Sequence, residues 1–297
     1  MCLLINKETR VMVQGGTGKQ GSYHVKAMQE YGTNIVACVT PGKGGNFVHD
    51  VPIYDTVKEA MEKHQVQASL IMVPAAFVLS AALEAIDQGV KLVVIITEHI
   101  PVQDTMKIKA LADQRGCTLV GPNTIGIINC REKAKIGIMP GFLYGEGNVA
   151  LISRSGTLSH ETASNLRFKD IGLSTVIGIG GDPIIGTDFV AALKQLKNDP
   201  HTEAVAMLGE IGGNREELAA EYLKNNDFGK PVFSFIAGRN APPGKKMGHA
   251  GAIIQGKAGT VQDKESQLEQ AGVNVATSLE NLVDLIVQWN HSQRSIS

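Results

Sequence analysis

The sequence predicts an α/β protein of two doubly wound domains, and three observations carry that prediction. Short apolar runs alternate with segments of helical period, the mark of βαβ units around parallel sheets covered on both faces. The chain has 297 residues, about two domains at roughly 100–200 residues each. Its 33 glycines against 5% aromatic residues suit many tight turns and close backbone approaches.

The elements follow in order. Strands are expected at Arg10–Gln14, Asn34–Val39, Ala68–Met72, Leu92–Ile96 and Thr118–Val120. Helices are expected at Thr56–Lys63 and at Phe77–Gln88, the latter stopped by Gly89. A Gly-rich connection from Arg131 to Asn148 reads as a linker. The alternation then resumes with strands at Val149–Ile152, Ser174–Gly178, Ala204–Leu208, Val232–Ile236 and Val273–Val275, closed by a helix at Leu279–Trp289. The expected domains are therefore residues 1–130 and 149–297, joined by 131–148.

Composition excludes several classes. Apolar residues at 43% and charged residues at 19% exclude long disorder. Lys+Arg at 28 against Asp+Glu at 29 leaves a net charge of −1, so no overall field favours nucleic acid. Met1–Arg10 is too short an apolar run to be a secretory signal or a membrane span, and no membrane partner is expected. Cys2, Cys38, Cys117 and Cys130 are scattered without a C-x-x-C pair. Neither a disulfide framework nor a zinc site is indicated, no metal site is expected, and a reducing compartment fits.

The first candidate site is a phosphate cradle. The strand at Arg10–Gln14 runs into Gly15-Gly16-Thr17-Gly18-Lys19-Gln20-Gly21 and then a helix, which would aim backbone N–H groups at a phosphate. Gly16, Gly18 and Gly21 spell G-x-G-x-x-G, a weak signal alone because a tight structural turn gives much the same string. A dinucleotide site also wants an acid after the second strand, about 20 residues on. That strand ends instead in Thr40-Pro41-Gly42-Lys43-Gly44-Gly45. Lys43 suits an extra ribose phosphate, which NADP and coenzyme A both carry, and a solvated turn lysine reads the same. Ile96, Thr97 and Glu98 end another strand at the carboxyl edge, where ligands of open sheets bind. Glu98 reads equally as an acid near a helix start.

The second candidate site is built on His249, flanked by small residues in Gly244-Lys245-Lys246-Met247-Gly248-His249-Ala250-Gly251-Ala252. Stripped of bulk, such a loop lets an imidazole take and hand over a group as large as phosphoryl. Covalent use of histidine needs a partner that fixes its tautomer, and Glu210 in Leu208-Gly209-Glu210-Ile211-Gly212-Gly213 is the candidate. An acid stabilised at a helix N-terminus reads the same way. Ser153-Arg154-Ser155-Gly156-Thr157 leaves a strand and enters a helix, so Ser153, Ser155, Gly156 and Thr157 suit a phosphate or carboxylate.

Over nearly its whole length the chain resembles the α-subunits of succinate–CoA ligase, in the nucleoside-diphosphate-forming acyl-CoA synthetase family. VTPGKGG, SRSGTL, GIGGDP, GEIGG and GHAGAII carry the resemblance, in the family's order. It implies a Rossmann-like CoA-binding domain followed by a flavodoxin-like ligase domain. The implied phosphohistidine falls on His249 with Glu210 supporting it. CoA contacts are implied for Thr17, Gly18, Lys19, Gln20, Lys43, Ile96, Thr97 and Glu98. ATP or GTP with Mg²⁺ is implied on a partner β-subunit carrying an ATP-grasp domain. The acid is implied to be a small carboxylic acid, succinate in most members, and the setting the cytoplasm, or the mitochondrial matrix after processing.

Three departures from the family pattern bear on the acid and on CoA. His160 stands where many succinate ligases carry a tyrosine that touches substrate, so malate, citrate or a sulfo-acid remain open, as does a simple replacement of one donor by another. Thr124 and Ile125 replace a common Cys-Pro, and His99 replaces a common glycine. A nucleotide-binding oxidoreductase is disfavoured by the missing acid after the second strand. A CoA-binding module without turnover leaves the GHAGA loop unexplained.

Overall fold

The computed structural model describes residues 5–242, 244–254 and 259–294. These form two compact units. One reaches to Gly141 and takes in Ile184–Thr187, and the other comprises Phe142–Pro183 and the chain from Asp188 onward.

The first unit runs β1 (Val11–Gln14), α1 (Lys19–Tyr31), β2 (Ile35–Val39), β3 (Phe47–Val48), β4 (Val51–Tyr54), α2 (Val57–Lys63), β5 (Ala68–Ile71), α3 (Ala75–Asp87), β6 (Leu92–Ile95), α4 (Val102–Arg115) and β7 (Thr118–Val120). It ends in a hairpin of β8 (Gly126–Asn129) and β9 (Ala134–Gly137). The sheet order is β3-β4-β2-β1-β5-β6-β7, parallel throughout except for the β3–β4 edge pair. From β4 inward this is the Rossmann order, 3-2-1-4-5-6. Strands β1, β5 and β6 are buried at every residue, which is why they read as continuous apolar runs rather than as alternation. The order reverses at β1 and β5, placing the turn after β1 at the crevice where open sheets bind ligands.

The second unit runs β10 (Glu146–Ser153), α5 (Gly156–Phe168), β11 (Leu173–Gly178), α6 (Phe189–Lys197), β12 (Ala204–Glu210), α7 (Arg215–Asn225), β13 (Val232–Ala237), α8 (Val261–Gln270), β14 (Asn274–Ala276) and α9 (Leu279–Arg294). Its parallel strands are ordered β14-β13-β12-β10-β11, the flavodoxin-like 2-1-3-4-5 arrangement. The switch point lies between β10 and β12, so the turns after those two strands share one end of the sheet.

The strands and helices expected from periodicity are present, most ends within three residues of the expected ones; the closing helix runs five residues further, to Arg294. Two pairs were not foreseen. β3 is a two-residue edge strand, and β4 beside it is short and carries Pro52. β9 and the start of β10 lie inside the stretch read as a linker, Arg131–Asn148. The glycines there mark close strand approach: Gly126 and Gly137 face each other, and a Cβ on either would strike the opposite backbone. The units part between Gly141 and Phe142. Ile184–Thr187 is tied to the first unit by Gly186 N donating to Gly121 O at 2.9 Å and Thr187 Oγ1 to Leu119 O at 2.7 Å.

Candidate active site

In the second unit, β12 delivers Glu210 at its last residue, and the loop after β13 delivers His249. Nδ1 of His249 lies 3.0 and 2.8 Å from the two carboxylate oxygens of Glu210. The Glu210 hydrogen bond pushes the histidine above its ordinary pKa against the opposing effect of burial; the Glu210 charge adds to the rise and Arg154 works against it. The loop is fixed by Gly251 N donating to Gly181 O at 3.3 Å and by Met247 N donating to Ala252 O at 2.9 Å. Pro243 of this loop lies outside the described residues.

Glycines make the pairing sterically feasible. A Cβ on Gly181, in the turn after β11, would run into the His249 ring. Gly212 has φ +82° and lies against Gly251 O and Ile253, leaving no room for a side chain. The small residues around His249 were read as clearance for a transferred group; the clearance for the ring itself comes from Gly181, outside that loop.

Beneath Glu210 lies a chain of buried charge that sequence reasoning missed. Arg154, 2% exposed at its side chain, donates from Nη2 to Glu210 Oε1 at 3.1 Å and from Nη1 to Glu216 Oε1 at 3.0 Å. Glu216 accepts from Lys264 Nζ, which also donates to Gly212 O at 2.9 Å. Burial alone would raise the Glu216 carboxyl, but Arg154 and Lys264 bring it below the usual carboxylate range. In the sequence Glu216 and Lys264 look like solvated helix charges, so nothing in the pattern singled them out.

The Ser153–Thr157 turn engages its two serine hydroxyls locally. Ser153 Oγ donates to Ser155 O at 2.7 Å, and Ser155 Oγ caps α5 by accepting from Leu158 N at 3.3 Å. An anion here would meet the first-turn amides of Gly156 and Thr157. A nearby cleft of about 510 Å³ is lined by Arg154, Arg215, Asn214, Ala250 and Gly251 among others, with no carboxylate among the described residues of its wall. Arg215 Nη2 donates to Asp182 O at 2.8 Å and Pro183 O at 2.7 Å; burial first, then the Arg154 charge, pull its pKa to about 10. His160, on the first turns of α5, has Nδ1 at 2.5 Å from the Tyr144 hydroxyl. Burial lowers its pKa, which disfavours the protonated ring.

In the first unit, Thr17, Gly18, Lys19 and Gln20 line one cleft of about 670 Å³ with Thr40, Pro41, Pro74 and Phe77. Lys43 is exposed and reaches Thr17 Oγ1 at 3.3 Å, which in turn donates to Thr40 Oγ1 at 3.2 Å. The turn after β1 is glycine for steric cause: a Cβ on Gly21 would fall on Gly15 O, and one on Gly16 would press on the Cys38 sulfur. Thr97 Oγ1 donates to Val73 O, a cleft residue, at 2.7 Å, whereas Ile96 and Glu98 lie outside the cleft wall. Glu98 is exposed and faces His99 at 3.6 Å. Sequence reasoning did not find Pro74 and Phe77, which open α3 opposite the glycine turn.

Among the described residues, no group of three His, Cys, Asp or Glu side chains is placed to hold a metal ion, and no helix is long and apolar enough to cross a membrane. Cys38 and Cys117 are buried free thiols, the first pushed up by burial to about 12, and Cys130 is buried as well.

Comparison with known proteins gives this architecture a class. The CoA binding domain family matches residues 6–99, and the CoA-ligase family matches residues 152–274. A CoA-binding fold followed by a CoA-ligase fold defines an acid–CoA ligase chain. The succinate–CoA ligase [ADP-forming] subunit alpha 2 of Archaeoglobus fulgidus is 49% identical over 288 residues, 97% of this chain and 99% of that one. The alpha subunit of Aquifex aeolicus is 51% identical over 277 residues, 93% of this chain and 90% of that one. The chain belongs to the family of succinate–CoA ligase α-subunits. Among solved structures, the ATP citrate lyase of Methanosaeta concilii superposes with a TM-score of 0.90 at 22% identity, over 99% of this chain. This chain spans about half of the lyase, 52% of its length. An acetyl-coenzyme A synthetase of Ca. Korarchaeum cryptofilum superposes with a TM-score of 0.77 at 23% identity, over 93% of this chain and 60% of its own. At these identities the likeness is one of fold.

Proposed function

We propose that this chain is the α-subunit of an ADP-forming ligase that joins succinate to coenzyme A through a phosphohistidine on His249. The observation that carries the reading is the bond from Nδ1 of His249 to Glu210, which leaves Nε2 as the ring nitrogen without a partner among the described residues. In the forward direction the Nε2 lone pair attacks the γ-phosphorus of ATP, the P–N bond forms and ADP leaves. Nδ1–H then carries positive charge, which the Glu210 carboxylate supports. A carboxylate oxygen of the acid takes the phosphoryl group, giving an acyl phosphate and free imidazole. The CoA thiolate attacks the acyl carbon and phosphate leaves. Splitting one difficult condensation in this way is the usual reason for a covalent intermediate.

The glycine turn after β1, with Lys43 and Thr17, receives the phosphates of CoA, Lys43 serving the ribose phosphate. The amides of Gly156 and Thr157, and the guanidinium-lined cleft beside His249, suit the phosphoryl group and the acid carboxylate. His160, tied to Tyr144, is the candidate for sensing the acid; assaying His160→Tyr against a panel of acids tests that role. Nucleotide and Mg²⁺ belong to a partner β-subunit with an ATP-grasp domain, and the setting is the cytoplasm.

The test is intact mass and peptide mapping of the chain co-purified with its partner after incubation with Mg·ATP, without acid or CoA. One acid-labile phosphoryl group on His249 is expected. Its absence from a complex that binds nucleotide would overturn the reading in favour of a CoA-binding module.

A further inference from the structure

We infer that Arg154, Glu216 and Lys264 form a buried relay of alternating charge that positions Glu210 and sets the basicity of His249, with Glu216 as its central positioning residue. Its catalytic meaning rests on the phosphohistidine reading; the relay itself rests on geometry alone.

The order of the contacts is the argument. Lys264 Nζ engages Glu216 Oε2. The other oxygen of Glu216 takes both Arg154 Nη1, at 3.0 Å, and the backbone N–H of Glu210, at 3.1 Å. Arg154 Nη1 also donates to the carbonyls of Glu210, at 3.2 Å, and Gly212, at 3.1 Å, while Nη2 reaches Glu210 Oε1. Glu216 thus holds Glu210 twice, by its backbone and through Arg154. Gly209 makes this possible, since a Cβ there would meet the Glu216 side chain.

Stability gives no reason for such a cluster. Glu216 and Lys264 are 0% exposed at their side chains, and burying charges costs several kcal/mol per ion before pairing. Apolar residues of similar volume often do as well or better, so the charges point to a task beyond packing. Arg154 shares one guanidinium between two carboxylates, and its share with Glu210 competes directly with His249 for Oε1. Other charges facing the group are Asp182 and Arg154 toward His249, Arg215 toward Arg154, and Glu217 at 3.6 Å from Lys264.

Alternation makes the prediction directional. Neutralising Glu216 releases Arg154 to neutralise Glu210 more fully, and His249 becomes less basic. Neutralising Lys264 strengthens the hold of Glu216 on Arg154, leaves Glu210 more anionic, and makes His249 more basic. A packing role would not produce opposite signs.

The experiment is imidazole titration by NMR on the full chain with ¹⁵N-labelled histidine rings, His249 being assigned by the resonance lost in His249→Asn. Glu216→Gln is expected to lower the His249 pKa by on the order of half a unit, and Lys264→Gln to raise it by a similar amount. Lys264→Arg keeps the charge and is expected to leave it unchanged. No shift in either neutralised variant, or shifts of the same sign, would overturn the relay. Should Glu216→Gln be insoluble, the two Lys264 variants decide: a rise in Lys264→Gln absent from Lys264→Arg supports the relay, and anything else overturns it. The titration needs no turnover. Failure of His249 to take phosphate from Mg·ATP in the complex, with the opposite shifts intact, would sink the ligase reading and leave the relay standing.

Discussion

Glu210 meets Nδ1 of His249 with both carboxylate oxygens, at 3.0 and 2.8 Å, while one of those oxygens is also held by Arg154 at 3.1 Å. A single carboxylate therefore fixes the ring's tautomer, raises its basicity and is itself restrained from the side away from the ring. The three effects come from residues far apart in sequence, brought together because β10 and β12 are neighbours in the sheet and end at the same edge.

Replacing Glu210 by Gln should remove the charge while keeping a hydrogen-bonding group of the same size. Phosphohistidine formation is expected to fall on the order of 100-fold, measured as acid-labile phosphate per chain against time. Stability should change with pH as well. The folded pKa of His249 is raised above the ordinary value of 6.5, so the pair's contribution is fully present below that value and is lost as pH rises through the raised one. Melts of the parent and of Glu210→Gln should therefore differ most at the acid end and converge at higher pH. A difference that grows with pH would contradict the pairing.

Gly181→Ala places a methyl group where the His249 ring now sits. Gly181 lies outside the positive-φ region, so its backbone accepts alanine and the conflict is with the ring. The ring should leave Glu210, its pKa should fall back toward the ordinary value, and phosphorylation should drop at least ~10-fold with little change in the melt. The pKa measured on the variant decides: an unchanged raised value would mean that the ring had not moved.

Much of the fold was legible because parallel strands buried on both faces read as unbroken apolar runs, as Leu92–Ile95 does. Elements that rely on edges were not. Phe47–Val48 is two residues long, and Ala134–Gly137 carries Lys135, whose side chain is buried in spite of its charge. The site divides similarly. His249 and Glu210 stand out because glycine surrounds each, but Lys264 sits in a helix of sequence VQDKESQLEQ, where a buried lysine looks like any solvated one. Only its three-dimensional neighbours separate the two cases.

Lys135 itself makes a stability prediction. Its Nζ donates to Met139 O at 2.9 Å and lies 5.7 Å from the Tyr31 ring centre, yet burial pulls its pKa from 10.5 to about 8. Below pH 8 it is charged in the folded and unfolded states, and burial costs stability. Between about 8 and 10.5 the unfolded chain binds the proton and the folded chain does not, so stability contributed by this site rises with pH. Lys135→Met should therefore be more stable than the parent by about 1–3 kcal/mol at pH 7, with the gap narrowing toward pH 10. Urea denaturation at the two pH values measures it, and a gap that widens toward pH 10 would refute the assignment.

Lys43 offers the sharpest test of which ligand the first unit was built for. Its ammonium stands on a glycine turn at the rim of the cleft and touches Thr17, within the turn that would take a pyrophosphate. A contact to the ribose phosphate is a charge-assisted bond that only a ligand carrying that phosphate can make. Lys43→Ala should weaken CoA about 10-fold and leave dephospho-CoA unchanged, since the latter lacks the phosphate. The loss should shrink as salt is raised, because an exposed ammonium acts through a screened field. Calorimetric titration with the two ligands at two salt concentrations separates the outcomes. Equal weakening of both would move Lys43 to the pyrophosphate, and no weakening of either would make it the solvated turn lysine that its exposure alone suggests.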